Sequence, residues 1–122
     1  MVVLTDYAAR VMLRSVLGKS LALRLYSNDV RPGKADTVKN YTEATFSGYA
    51  PAVLSGERWV WNGNTAKYPI QEFVASGKKG ELVYGYYITF ADSNALLWAE
   101  RFEDGPVAMN ILGDTIGVTL KV

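Results

Sequence analysis

Residues 21–26, LALRLY, decide the fold of this chain, because three leucines alternate there with other side chains. A period of two residues places successive side chains on opposite faces of a β-strand. The alternation therefore predicts a half-buried strand that turns Leu21, Leu23 and Leu25 towards a core. Similar short apolar stretches recur to the end of the chain, so we predict a mainly β protein.

The later stretches are separated by turn residues at the spacing of an antiparallel β-sandwich or barrel. We predict about seven or eight strands in an antiparallel β-sandwich, with a jelly-roll as one arrangement that fits. Asn62-Gly63, with Asn64 and Thr65, predicts a hairpin connection of three or four residues. The expected strands include one at 41–46, an edge strand at 67–75 that contains Pro69, the longest strand at 81–91, a central strand at 96–102 and a last strand at 115–122.

One helix is expected before the first strand, at about residues 5–17, with Thr5 or Asp6 as its N-cap. Apolar residues recur at helical spacing and predict a buried stripe, whereas Arg10 and Arg14 are expected on the solvent side. Gly18 is a suitable C′ residue. Two interpretations stay open, namely a surface helix packed on the sheet and an arm that docks on a neighbouring subunit. Residues 1–122 are predicted to form a single domain, with the sandwich at about 20–122.

Composition excludes several classes of function. The net charge of +1 in 122 residues gives no general attraction to nucleic acid. The chain has no cysteine and no histidine, which removes thiolate metal sites and the commonest general base. The sequence contains no run of about 18 apolar residues, so no membrane span is predicted. We therefore expect no cofactor, no metal, no nucleic-acid or membrane partner and no enzymatic activity.

Two features are candidates for chemistry. Glu100, on a predicted core strand, is the most interesting carboxylate for a glycosidase-like pair, but the favoured interpretation is an ion pair with a basic residue such as Arg101, Arg24 or Arg58, or a solvated position. Trp59 and Trp61 lie two residues apart and therefore share one side of a strand. They are expected to fill the core or a subunit interface, or alternatively to form an aromatic platform for sugar stacking.

The polar segment 28–40 carries three basic and two acidic residues and is expected to be a long exposed loop. Long ordered loops in small domains often carry contacts, so this segment is a candidate contact surface.

Three segments together suggest a family. These are the N-terminal helix that ends at Gly18, the stretch LALRLYSNDVRPGKADTVKNYTEATFSGYAP at 21–51, and LLWAERF followed by NILGDTIGVTLKV within 96–122. They resemble small virion proteins of tailed bacteriophages, of the capsid decoration (cement) or tail-fibre-like kind. The resemblance implies a β-sandwich that assembles as a homotrimer on the outside of a capsid, bound to the major capsid protein. It implies a protein made in the host cytoplasm and carried on the capsid surface, with no family site residues to transfer.

The sequence thus predicts a non-enzymatic capsid decoration protein, with a tail-fibre or lectin-like module as the alternative. The candidate assembly contacts are Tyr7, Arg10, Arg14, Arg31, Lys34, Trp59 and Trp61.

Overall fold

The computed structural model describes residues 2–122, which contain one α-helix, two short 3₁₀ helices (Val38–Asn40 and Gly56–Arg58) and nine strands. The elements are α1 (Asp6–Leu17), β1 (Leu21–Tyr26), β2 (Ala52–Leu54), β3 (Val60–Asn62), β4 (Thr65–Val74), β5 (Glu81–Val83), β6 (Gly85–Phe90), β7 (Leu96–Arg101), β8 (Val107–Met109) and β9 (Thr115–Lys121). The predicted mainly β class with one N-terminal helix is confirmed.

The strands form three sheets in the orders β2-β1-β6-β7, β3-β4-β9 and β5-β8, and all of their pairings are antiparallel. Leu23 and Ile88 from the first sheet join Tyr68 and Leu120 from the second in one buried cluster. Two sheets that share their inner side chains in this way form a β-sandwich-like fold. The jelly-roll arrangement remains a prediction.

Strand β1 is buried on both faces, not on one as expected. Five of its six residues are buried and only Arg24 is partly exposed. The leucines face the sandwich core, whereas Tyr26 faces outward and meets Tyr41, with ring centroids 5.0 Å apart. Tyr41 in turn stacks on Tyr87 of β6 at 5.3 Å. The chain between β1 and β2 therefore covers the outer face of this sheet.

Residues 41–46 do not form the predicted strand. They contribute a single bridge, from Glu43 to Tyr26, and Glu43 is held by side chains instead. Its carboxylate accepts hydrogen bonds from Arg24 at 2.9 Å and from the Tyr49 hydroxyl at 2.6 Å. Burial, followed by this bond to Glu43, raises the pKa of Tyr49. Two backbone hydrogen bonds, from the Ala44 N–H to the Leu25 carbonyl and from the Ser27 N–H to the Thr42 carbonyl, act together with these side-chain bonds to attach the segment.

The strand expected at 81–91 is divided into two strands by Tyr84. Its first part, β5, pairs with β8, and its second part, β6, pairs with β1 and β7. Gly85 lies at the division, where a Cβ atom would come within 2.7 Å of the Tyr26 ring. As the sequence suggested, glycine admits a close neighbour at this position. The longest strand is β4, not this one.

Strand β4 is also central, between β3 and β9, although Pro69 predicted an edge. The register with β9 shifts between Tyr68 and Gln71, so Pro69 occupies an irregularity where its missing N–H breaks no regular ladder. The preceding hairpin is tighter than expected. Asn62 pairs directly with Thr65, and Gly63 adopts a positive φ of 62° in the two-residue connection.

Strand β7 lies at the edge of its sheet and pairs with β6, so the prediction of a central strand was wrong. Its apolar side chains Leu96, Leu97 and Trp98 are only partly buried. Apolar residues on both faces predict burial of the faces. They do not predict that both backbone edges are paired.

Candidate assembly interface

Helix α1 begins and ends close to the predicted residues. The Thr5 hydroxyl accepts a hydrogen bond from the Ala8 N–H at 3.1 Å, which confirms Thr5 as the N-cap. Gly18 is the C-cap and has a right-handed φ of −72°, not the left-handed φ typical of a C′ glycine. Instead, Gly18 and Gly56 approach closely, since a Cβ on Gly56 would lie 2.8 Å from the Gly18 Cα.

The helix is turned differently from the prediction. Of its twelve residues only Leu17 is fully buried, and Leu13 packs against the core from the same side. The apolar stripe predicted to be buried began at Leu4 and was widened by Leu13, Val16 and Leu17. Its first part faces solvent, whereas Leu13 and Leu17 face the core as expected. We call its most exposed members the outer helix face, and they are Leu4, Tyr7, Val11 and Met12, each at least half exposed.

The two arginines expected in solvent attach the helix to the β3–β4 hairpin. The Arg14 guanidinium lies 4.2 Å from the centroid of the Trp61 ring, a cation–π contact. Arg10 donates to the Asn64 side-chain oxygen at 3.3 Å. These contacts explain the orientation of α1, because they keep the arginine side on the body and thereby turn the apolar stripe outward.

The two tryptophans do not form a platform. Trp59 is only 6% exposed and packs edge-to-face on Tyr68, with ring centroids 5.0 Å apart. Its indole N–H is the one buried side-chain polar atom without a hydrogen-bond partner among residues 2–122. Trp61 is half-buried against the core and has Arg14 over its ring. Core packing, the first of the two interpretations, is confirmed for Trp59.

Arg31 and Lys34 lie elsewhere, on the exposed segment between β1 and β2. The Asn28 side chain orders this segment by bonding the Asn40 carbonyl and the Thr42 N–H, both at 2.9 Å. Neither cation forms a salt bridge within the part of the chain that the structure describes. The structure therefore groups Tyr7, Arg10, Arg14 and Trp61, but it separates Arg31 and Lys34 from them.

Glu100 is exposed on the edge strand β7, not on a core strand. It faces Tyr86 of β6 across the ladder. Burial, followed by the charge of Glu100, raises the pKa of Tyr86 to about 12. No group of three or more acidic side chains within residues 2–122 is arranged to hold a metal ion. In the same residues, no helix combines the length and the apolar character needed to cross a membrane.

The sequence did contain a signal for the outer helix face. Apolar residues occupy most of the circumference of α1, from the stripe through Leu13 to Leu17. A helix on the surface of a sheet buries only one side, so a helix that is apolar nearly all round has a second face without cover. That excess predicts an uncovered face, and the contact of Arg14 with Trp61 shows which side of the helix lies on the body.

With the fold and this face described, comparison with known proteins adds no relative: no protein-family model, no curated protein and no solved structure matches the chain.

Proposed function

We propose that this protein is a non-enzymatic structural protein of a phage virion, a capsid decoration protein that stabilises the outer capsid. In this proposal it assembles as a homotrimer, binds the major capsid protein and resides on the capsid surface. The observation that carries the proposal is the outer helix face, an apolar surface that the described part of the chain leaves exposed.

The outer helix face is suited to assembly because it is apolar and lies on a regular element. Val11 and Met12 are 50% and 56% exposed, and Tyr7 is 61% exposed. Tyrosine and methionine are enriched in protein interfaces, and charged residues are depleted from interface centres. Asp6, Arg10 and Arg14 lie beside the apolar stripe and not within it, which matches the pattern of an apolar centre with a charged rim.

The remainder of the chain supports the same role. The sandwich has its own buried cluster, which α1 joins mainly through Leu13 and Leu17. The outer part of the helix is therefore available for contacts between molecules. A closed cyclic assembly reuses such a face in every copy, and many modest contacts on a capsid lattice add to a strong attachment.

Trp59 and Trp61, which suggested the tail-fibre or lectin-like alternative, do not form an aromatic platform. Trp59 is inside the core, and one face of Trp61 is covered by Arg14. We therefore propose only the assembly role.

The first experiment measures the oligomeric state by size-exclusion chromatography with light scattering. We expect a trimer for the native chain and a monomer for the double variant Val11→Glu/Met12→Glu, because two buried charges oppose association. Val53→Glu is the matched control, since Val53 is 67% exposed on β2 and a charge there should leave the trimer intact. A native chain that stays monomeric at every concentration contradicts the self-assembly.

The second experiment measures rebinding to capsids stripped of their decoration proteins, from the phage whose genome encodes this chain. We expect the native chain and Val53→Glu to rebind and Val11→Glu/Met12→Glu to remain in solution. No binding of the native chain to these capsids would exclude the decoration role.

A further inference from the structure

A groove separates the open edges of β7 and β9 and has a volume of about 480 Å³. Its lining includes Glu100, Glu103 and Asp104 from the β7 side and Gly117 from β9. We propose that this acidic groove binds an extended, lysine- or arginine-containing segment of a partner protein, which adds to β7 as an extra strand. The groove and the outer helix face share no residues, so either proposal can fail without the other.

The first support is the unpaired edge of β7. Within residues 2–122, β7 pairs on one side only, with β6. The Phe102 N–H donates to the Tyr84 carbonyl at 3.0 Å, which directs the backbone groups of Phe102 and Glu100 towards β6. In an antiparallel ladder alternate residues point the opposite way, so Arg101, which lines the groove, and Ala99, which precedes the groove lining, direct their N–H and C=O groups away from β6.

The second support is the opposite wall. Val122 and Ala66 exchange backbone hydrogen bonds of 2.8 and 2.9 Å, and even-numbered residues of β9 therefore face β4. The backbone of Gly117, an odd-numbered residue, points away from β4. The place where a Gly117 side chain would lie is filled by Ile70, whose Cδ1 atom would be 2.8 Å from a Cβ there, so it is the backbone edge of Gly117 that is open to a partner. Both walls can accept an extended chain, which is how a strand is added to a sheet edge in peptide recognition.

The third support is charge, which identifies the occupant. Glu100, Glu103 and Asp104 are exposed, and none forms a salt bridge within the described residues. The basic residue of the lining, Arg101, already binds Asp29 at 2.7 Å and the Val30 carbonyl at 3.0 Å. The groove is thus negative although the whole chain has a net charge of +1.

A second copy of this chain is a poor occupant. If two β7 edges paired, each would bring its own acidic residues to the same junction, and like charges on adjacent strands are destabilising. A basic partner segment gains from the same charges. Electrostatic complementarity also raises the rate and the specificity of binding.

The test uses a fluorescent, acetylated peptide of alternating lysine and valine and measures fluorescence anisotropy on the full chain. We expect saturable binding of this peptide. We expect none for a glutamate–valine peptide of equal length, and none for the lysine–valine peptide with a central proline, which cannot complete the ladder. Absence of saturable binding by the lysine–valine peptide, or equal binding of the glutamate–valine peptide, would overturn the proposal.

Variants locate the site. Glu103→Lys/Asp104→Lys should weaken binding by about tenfold or more, since it reverses the charge of the groove. The control Glu57→Lys/Asp92→Lys makes the same net-charge change at exposed positions outside the lining and should bind like the native chain. Ala99→Pro removes one outward N–H and should abolish binding, with circular dichroism to verify its fold. Unchanged binding by Glu103→Lys/Asp104→Lys would show that the acidic residues only keep the strand edges from pairing, and would refute the proposed site.

Discussion

Helix α1 and strand β1 are neighbours in the chain and are both rich in apolar residues, yet the fold treats them in opposite ways. Five of the six residues of β1 are buried, whereas only one of the twelve residues of α1 is. The difference does not lie in hydrophobicity but in what is available to cover each element. Strand β1 has the core on one face and the tyrosine cluster on the other, while α1 has the body on one side and no cover from residues 2–122 on the other.

The largest expected effect tests this contrast directly. Leu23→Ala in β1 should lower the free energy of unfolding by about 3 kcal/mol, because a fully buried leucine leaves a cavity. Val11→Ala on the outer helix face should cost less than about 0.5 kcal/mol in the monomer. Urea unfolding followed by circular dichroism measures both values.

The loss in free energy of unfolding caused by Val11→Ala, measured at several protein concentrations, also tests assembly. In a trimer the cost should grow with protein concentration, since association stabilises the folded state by mass action. A Val11→Ala cost as large as that of Leu23→Ala in dilute monomer would contradict the exposed position of the outer helix face.

An intermediate effect concerns Tyr86 and Tyr87 of β6, the strand that pairs with β1. Burial comes first among the causes that raise the pKa of Tyr86 and Tyr87 from 10.0 to about 12. A tyrosine with a higher pKa in the folded state holds its proton more tightly when folded. Its stabilising effect is therefore complete below pH 10 and is lost as the pH rises towards 12.

Two pKa units at about 1.4 kcal/mol each set an upper limit of about 2.8 kcal/mol for each tyrosine. Because solvent screening lowers this limit, we expect each tyrosine to account for about 2 kcal/mol of the alkaline loss. Urea unfolding across this alkaline range measures the loss, with tyrosinate absorbance as the second signal. Tyr87→Phe keeps the stacked ring but not the ionisable group, so its free energy of unfolding should fall less steeply as the pH rises. An identical pH dependence in Tyr87→Phe would show that Tyr87 does not contribute.

The smallest effect concerns the attachment of α1 to the body. The contact of Arg14 with Trp61 should couple the two residues by about 0.5–1 kcal/mol, as expected for a cation–π pair at a partly exposed site. A double-mutant cycle of Arg14→Ala and Trp61→Leu isolates this coupling. Arg14→Lys serves as the control that retains the charge. A coupling of zero would mean that the Arg14–Trp61 contact does not help to orient the helix, which would then depend on Leu13, Leu17 and the Arg10–Asn64 hydrogen bond.

Several elements followed from local pattern alone. The alternation of leucines predicted β1 at its observed limits, and Thr5 predicted the start of α1, because a period of two and a capping hydroxyl are both local properties. The patterns failed where distant residues decide. Tyr84 divides the strand at 81–91 because its two halves have different partners, and β7 is an edge strand because no other strand reaches its second side in the described structure. The local sequence shows neither which strand pairs with each half nor that β7 lacks a second neighbour.

The same limit applied to the candidate interface. Sequence placed Tyr7, Arg10, Arg14 and Trp61 among the contacts but assigned the arginines to solvent, since a charge on a helix is normally hydrated. It did not group Arg10 with Asn64, whose side chains meet across a sequence separation of 54 residues.

The amino-acid sequence by itself determined that the chain is mainly β with one capped helix, because periodicity and capping act over a few residues. Only the tertiary structure decided which apolar surfaces are covered, since cover depends on which strands and loops meet after folding. The outer helix face and the open edge of β7 are exposed because covering them would require contacts from residues far away in the chain. Which distant residues make such contacts is decided only when the chain folds.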